Sequence, residues 1–475
     1  MLILRFGFLC LVVLFTNSVN AKEYRVNSTS ALSLSISSSL PGDTITILNG
    51  TYNDWRIAFY ATGTSSANIL LRAETVGGVI LAGNSSLAIG GQYLVVSGLK
   101  FSNGYISKGS VIEFRKSPSS KSSYCRLTNT SIIDYNPPDS LTGNKWISLY
   151  GYHNRVDHCY LKGKRNLGTT LVVWLDSTAN YHQIDSNYFG HRPRLGINGG
   201  ETIRVGTSGW SMFDSFTTVE YNLFEECDGE IEIISNKSCG NVYRYNSFVS
   251  CQGTLTLRHG NRCSVYGNYF FGNHKKDSGG IRIIGEDHLV YNNYISGCTG
   301  RSLKSALTIM NGIPDSPPYG YLQVKRAVVA FNTLIDNRTS INIGPGGKKV
   351  TLPPIDCVIA NNIILGKSAP LVQFTNLPIN MKWQGNIFFG TEIGFASVPE
   401  NNYYIDPQLS LPDVNGVIHL SSNSQAIGKS FGDYNFAAKD IDGDVRKLQR
   451  DIGCDEYSLS SPKMKPVKAQ DVGPK

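Results

Sequence analysis

The sequence predicts an all-β chain wound as a parallel β-helix, and three observations carry that prediction. A short phrase, an Asn followed by mostly apolar or aromatic residues, recurs from Asn187 through Asn222, Asn246, Asn268, Asn293, Asn332 and Asn362 to Asn386. Between recurrences lie strand-like runs such as Glu230 to Ile234, Thr254 to Leu257 and Ile281 to Ile284, bounded by Gly, Asn and Asp. Helical periodicity is nearly absent, which disfavours helical and leucine-rich repeats.

From the N-terminus, Met1 to Arg5 is a short basic start, Phe6 to Phe15 an apolar run, and Val19-Asn20-Ala21 a small-residue cleavage pattern. Residues 1–21 therefore read as a signal peptide and the mature chain as secreted or periplasmic. The run is too short for a permanent span, and no later segment is apolar enough for membrane insertion. Ser30 to Ser39 is a candidate helix, followed by the turn Pro41-Gly42-Asp43, the strand Thr44 to Leu48 and Asn49-Gly50-Thr51-Tyr52. That order resembles the start of many right-handed β-helix proteins, where a terminal cover blocks edge-to-edge pairing.

The repeating Asn residues are spaced by 35, 24, 22, 25, 39, 30 and 24 residues, a basal coil of 22 to 25 with insertions. Asn suits a turn in such a coil because it tolerates left-handed backbone and its amide can bond to the turns above and below. The expected architecture is a single-stranded right-handed parallel β-helix (solenoid) with a short N-terminal helical cap, one domain over 22–460. Residues 461–475, basic and without pattern, read as a loose tail.

The composition agrees. Of 475 residues, 17% are charged, against about 25% in an ordinary soluble domain, and 48 are glycine. β-Branched and aromatic residues along the whole length exclude disorder, and scarce Ala, Glu and Lys exclude a helical bundle. The net charge of +8 suits an acidic partner. Cys10 leaves with the signal, and nine cysteines remain of ten. Cys227, Cys239, Cys251 and Cys263 are spaced by twelve and lack the close pairing of a zinc site, so they read as buried packing residues.

Chemistry concentrates between Asn198 and Arg282. In Glu230-Ile-Glu232-Ile-Ile234 alternation would put both carboxylates on one strand face and the isoleucines in the core. Paired carboxylates at that spacing are either a solvated acidic face or hard oxygen ligands for Ca²⁺. With a coil of about 24 residues, Arg258 and Arg282 would stack on one face, and Glu230 and Glu232 would lie beneath Thr254 and Thr256. Lys237 follows the acidic strand directly. Stacked cations repel, and a polyanion lying across them relieves that repulsion.

On these residues the chain resembles polysaccharide lyase family 6, which contains chondroitinase B and many alginate lyases. The resemblance rests on Cys227-Asp-Gly-Glu-Ile-Glu-Ile-Ile-Ser-Asn-Lys-Ser238, Thr256-Leu-Arg-His-Gly-Asn261 and Gly280-Ile-Arg-Ile-Ile-Gly285. It extends to Asn198-Gly-Gly-Glu-Thr-Ile-Arg-Val-Gly206 and to Asp440-Ile-Asp-Gly-Asp444 with Asp451-Ile-Gly-Cys-Asp-Glu456. It implies cleavage of a uronate-containing acidic polysaccharide by β-elimination, in which a base removes the C5 proton and the 4-linked oxygen leaves. By the same resemblance Asn198, Glu230 and Glu232 would hold Ca²⁺, with Glu201 and Arg204 close by, and Lys237 would be the base. Arg258 would serve the leaving oxygen, while His259 and Arg282 would contact substrate. Since a guanidinium releases its proton reluctantly, the proton donor is either Arg258 itself, or water or His259 beside a charge-stabilising Arg258.

Alginate is the first substrate expected and dermatan or chondroitin sulfate the second. The partner is an acidic polysaccharide and not nucleic acid, and the chain is expected to be a monomer. Two other classes fit parts of the pattern. A non-catalytic β-helix binding an acidic glycan would keep the basic strip without needing Lys237. A glycoside hydrolase would need carboxylates flanking the bond; Glu230 and Glu232 could imitate them, but adjacency on one strand suits metal binding better.

Overall fold

The computed structural model describes residues 21–475, so the expected leader lies, apart from Ala21, outside the described residues. Three long sheets of 14, 12 and 14 strands run the length of the molecule, and within each sheet the neighbouring strands are parallel, typically three apart in chain order. Each coil thus gives one strand to each sheet, the arrangement of a right-handed parallel β-helix. At about 4.8 Å per strand the column is about 60 Å long. Among the described residues no helix is long and apolar enough to cross a membrane.

Three-residue strands suffice because only the central residue must face inward. In one sheet these are Val156, Ile184, Val219, Tyr243, Val265, Val290, Val329 and Ile359, all fully buried. One apolar core runs from Val26 to Ile393. Within it Phe189, Phe224, Phe248 and Phe270 stack with ring centroids 5.0, 4.7 and 4.4 Å apart.

The Asn repeat is a continuous hydrogen-bonded ladder. Each Asn side-chain oxygen accepts from both the backbone N–H and the side-chain amide of the Asn one coil earlier, as Asn268 does from Asn246 at 3.0 Å each. The same pattern runs from Asn187 to Asn386 and continues to Asn402, a rung the phrase had not revealed. Of the two reasons expected for Asn, amide bonding between coils is borne out and left-handed backbone is not. The left-handed residue is the one before it, among them Ser186, Tyr221, Tyr245, Phe331 and Gly385, with φ between 51° and 67°. Asn is required for its two-sided amide, not for its backbone.

Replacing Asn268 by alanine would strip the acceptor from two buried donors of Asn246 and remove the amide donor to the carbonyls of Tyr243 and Tyr266. At about 1–3 kcal/mol for each buried polar group left unpaired, we expect urea unfolding to register a loss of about 3 kcal/mol or more. The same change at the half-exposed end rung Asn402 should cost clearly less. Equal and small losses at both rungs would remove the ladder from the list of stabilising features.

The helix Thr29–Ser38 is capped by Ser28, whose hydroxyl accepts from the Ala31 N–H, and it buries Leu32 and Ile36 over the first coil. A strand the sequence had not announced, Glu23–Val26, precedes it and pairs with Thr44–Ile47. All nine described cysteines are buried and unbridged, packing as small apolar groups. Residues beyond Tyr404 fold back over the outer faces of two sheets, where Val417, Ile441 and Cys454 pack on Tyr269, Tyr294 and Ile335, and Ala437 packs with Tyr291 and Ala330. The terminal segment, expected as a loose tail, continues that course. Val472 packs on Tyr188 and Leu223, and backbone N–H groups of Val467 and Gly473 donate to Ser247 Oγ and Ser186 O. Its apolar residues are few but fall where outward-facing aromatic rings need cover.

Candidate active site

The 12-stranded sheet carries on its outer face a cleft of about 460 Å³, lined by Asn198, Glu230, Glu232, Lys237, Arg258, Arg282 and Tyr321 among others. Of the site residues expected from sequence, only His259 is missing from the lining.

Two irregularities in strand register build the site. Glu232 pairs with Thr254 but Ile234 pairs with Leu255, so Ile233 is an extra residue, and both Ile233 and Ile234 turn inward. The simple alternation expected over Glu230 to Ile234 is therefore broken, and Glu230 stands before the strand, which begins at Glu232. One coil on, Asn236 pairs with Leu257 and Lys237 with His259, which makes Arg258 the extra residue of a second bulge. Bulges re-aim side chains beside functional sites. Arg282 pairs with Thr256, so the expected register stack of Arg258 on Arg282 is corrected by two residues. Likewise Thr256 sits over Ser235, not over a glutamate.

The two arginines meet through Glu232 instead. Arg282 Nη2 donates to Glu232 Oε1, and Arg258 Nε lies 3.6 Å from the same oxygen. Ser235 Oγ donates to the other oxygen of Glu232. Glu232, whose side chain is 8% exposed, thus holds Arg282, at 1%, in the cleft floor. Arg258 is further fixed by a 2.8 Å hydrogen bond from Nη1 to the Gly320 carbonyl and by the Tyr321 ring, 3.9 Å below its guanidinium. Burial pulls its pKa below the ordinary value.

Lys237 Nζ lies 3.9 Å from Glu201 Oε1. Glu201 is buried, and its second oxygen has no hydrogen-bond partner. Glu230 accepts from the Gly199 N–H at 3.1 Å. Burial, then the charges of Glu201 and Glu232, push its carboxyl up to about 7. Three acids gather at this end of the site, one with an unpaired buried oxygen and one made reluctant to ionise by burial and by the other two. That donor set fits a hard cation, with Asn198 exposed at the rim. Glu232 is the least free of the expected ligands, because both its oxygens are engaged by the arginines and Ser235.

His259 is 2% exposed and lies behind Arg258, with Nε2 3.4 Å from Ser208 Oγ. Burial, Arg258 and Lys237 push its imidazole down to about 3, so it is neutral at ordinary pH. His259, expected to contact substrate, stands outside the cleft lining. Asn236, a nominal glycosylation acceptor, is fully buried. Its amide donates to the His259 carbonyl at 2.7 Å and its oxygen accepts from Tyr243 Oη at 2.7 Å, which anchors the chain on either side of Lys237 and Arg258.

Two positioning residues, Asn236 and Tyr321, were therefore not picked out from sequence, and Glu201 was named only as a neighbour of Asn198. Glu201 had a usable signal, lying in the same segment as Asn198. Asn236 sat beside Lys237 disguised as a common sequon. Tyr321 comes from the insertion between Asn293 and Asn332, and nothing local marks where that loop lands.

A family model described as Chondroitinase B matches residues 26–416. No curated protein matches the sequence. Among solved structures, the family 6 alginate lyase AlyGC superposes with a TM-score of 0.85 at 37% identity, over 95% of this chain and 58% of AlyGC. The chain thus spans less than two thirds of that lyase. A mannuronic acid specific polysaccharide family 6 lyase from human gut microbiota gives 0.75 at 32% identity, over 81% of this chain and 91% of that one. A family 6 polysaccharide lyase from Pseudopedobacter saltans gives 0.70 at 32% identity, with 77% and 92% covered.

Proposed function

The chain belongs to the chondroitinase B family of polysaccharide lyases, family 6, and from that premise we propose that it cleaves alginate by β-elimination. The observation that carries this reading is one cleft joining Lys237 and Arg258 with the acids Glu230 and Glu232, with Glu201 buried beside Lys237. Alginate is favoured because the similar structures at 37% and 32% identity are described as an alginate lyase and as mannuronic acid specific. The name of the family model keeps dermatan and chondroitin sulfate as the second reading.

In the proposed reaction Lys237 Nζ takes the C5 proton of the uronate in the cleft. The C4–C5 double bond forms as the bond from C4 to the glycosidic oxygen breaks, and that oxygen leaves with a proton. Arg258, pinned by Gly320 and Tyr321, faces the charge that grows on it. Neutral His259 behind Arg258 is no acid at ordinary pH, which favours charge stabilisation by Arg258 with water as the proton source. Glu201 orients Lys237, and Glu232 holds Arg258 and Arg282 in place. Ca²⁺ would be held by Glu230 and Asn198 with Glu201 and Glu232 alongside. Bound there, it would supply positive charge to neutralise the substrate carboxylate and make the C5 proton easier to remove.

The test is ultraviolet absorbance of the unsaturated uronate, followed on polymannuronate, polyguluronate and dermatan sulfate. We expect a rise on at least one alginate block, loss of the rise with chelator, and recovery on adding Ca²⁺. No rise on any uronate polymer defeats the lyase reading. A rise indifferent to chelation defeats the calcium reading alone. Export, proposed from the leader, is checked by finding the chain in the periplasm or medium, shortened by that leader.

A further inference from the structure

The segment that folds back over the outer face carries a cluster that the cleft chemistry does not use. His419, Asp442 and Asp455 each bring one ligand atom within 4.8 Å of the others. His419 Nδ1 lies 3.3 Å from Asp442 Oδ2 and 3.7 Å from Asp455 Oδ1. Its Nε2 faces Asp413 Oδ2 at 3.8 Å and is buried with no hydrogen-bond partner.

The neighbouring acids show what satisfaction looks like here. Asp440 accepts from the N–H groups of Asp444 and Glu456, Asp413 from those of Asn415 and Val417, and Asp455 from that of Leu420. Asp442 is different. It is 8% exposed, and among the described residues its carboxylate has His419 as its one ion-pair partner and accepts no hydrogen bond. A nearly buried carboxylate without donors, aimed at an imidazole nitrogen and a second carboxylate, lacks a positive group at the centre.

We propose that His419, Asp442 and Asp455 form a metal site of their own, taking a first-row divalent cation of the zinc and manganese class. One imidazole nitrogen with two carboxylate oxygens is a donor set for those ions, whereas calcium prefers oxygen throughout. Asp413 stands behind Nε2, where it favours the proton on that nitrogen and leaves Nδ1 facing the two carboxylates; such a partner orients a metal-bound histidine. The site joins three separated pieces of chain, the turn that runs from Asp413 to Leu420 and the loops around Asp442 and Asp455. These are the pieces that cover Tyr269 and Tyr294, so the ion would fasten the C-terminal segment to the β-helix. The inference does not depend on how the cleft is read.

The experiment uses the full chain carrying Glu230→Gln, which weakens the cleft as a competing site, stripped with chelator and titrated with Zn²⁺ and Mn²⁺. We expect about one ion per chain and a metal-dependent rise in Tm. Asp442→Asn and His419→Gln should each weaken binding by at least about tenfold and abolish the rise. Crystals of the Glu230→Gln protein soaked in either metal should give an anomalous peak between the three side chains, a measurement that needs neither further variant to fold. No binding at millimolar metal, undiminished binding in both variants, or no peak at that place would each overturn the proposal. The cluster is then a histidinium held by carboxylates.

Discussion

Lys237→Ala is expected to lower kcat on alginate by about 10³-fold or more while KM changes little, the scale of losing a positioned general base. Lys237 ends its strand, and its contact with Glu201 is a loose one at 3.9 Å, so the coil does not need it for hydrogen bonding. What the alanine leaves behind is Glu201, buried and with one oxygen already unpaired. Some loss of stability should follow, and it can be separated from the chemistry. Lys237→Ala with Glu201→Gln should recover that stability without recovering rate. Lys237→Arg restores the positive charge but not a group that readily gives up its proton, so it should be as inactive as alanine. An arginine variant with near-normal kcat would mean that the position supplies charge and not proton transfer. Substrate binding unchanged by every substitution at 237, in a protein with no turnover to lose, would favour the non-catalytic glycan-binding reading.

The parts of this molecule legible in the sequence are those in which one requirement repeats. The Asn ladder needs the same side chain at every coil, so it surfaces as a phrase with a period even through insertions of varied length. The helix Thr29–Ser38 was legible within a residue because its cap and turn are local. Features set by a single coil were not. Arg258 reaches the cleft because of one bulged residue, and a bulge leaves no compositional trace, so counting 24 residues placed it over Arg282 when Arg282 pairs with Thr256. The left-handed position before each ladder Asn holds Ser, Tyr, Phe, Asn or Gly, and so it has no signature. Tyr321 and the returning C-terminal segment act through contacts more than 60 residues away, as with the Arg258 bond to Gly320 at a separation of 62. The chemistry-bearing residue types were legible because few charges occur in the chain; their division into cleft-facing and buried was not.

That division leads to the second large effect. Arg282→Met should destabilise the protein by about 3–5 kcal/mol in urea unfolding, the scale of breaking a buried ion pair from one side. The side chains of Arg282 and Glu232 are 1% and 8% exposed, so neither can turn to water when its partner is removed. Glu232→Gln should also destabilise strongly, leaving Arg282 buried with its charge uncompensated and Arg258 without its nearest acid. The two losses should not add. Glu232→Gln with Arg282→Met removes both charges, and most of the stability should return, because the cost lies in the orphaned charge and not in the absence of the pair. Activity should not return with it, since Arg258 would then be held only by Gly320 and Tyr321 and by nothing on the cleft floor. Additive losses in the double variant would mean that the pair contributes through packing. Full recovery of both stability and turnover would mean that Glu232 neither positions Arg258 nor belongs to the cation site.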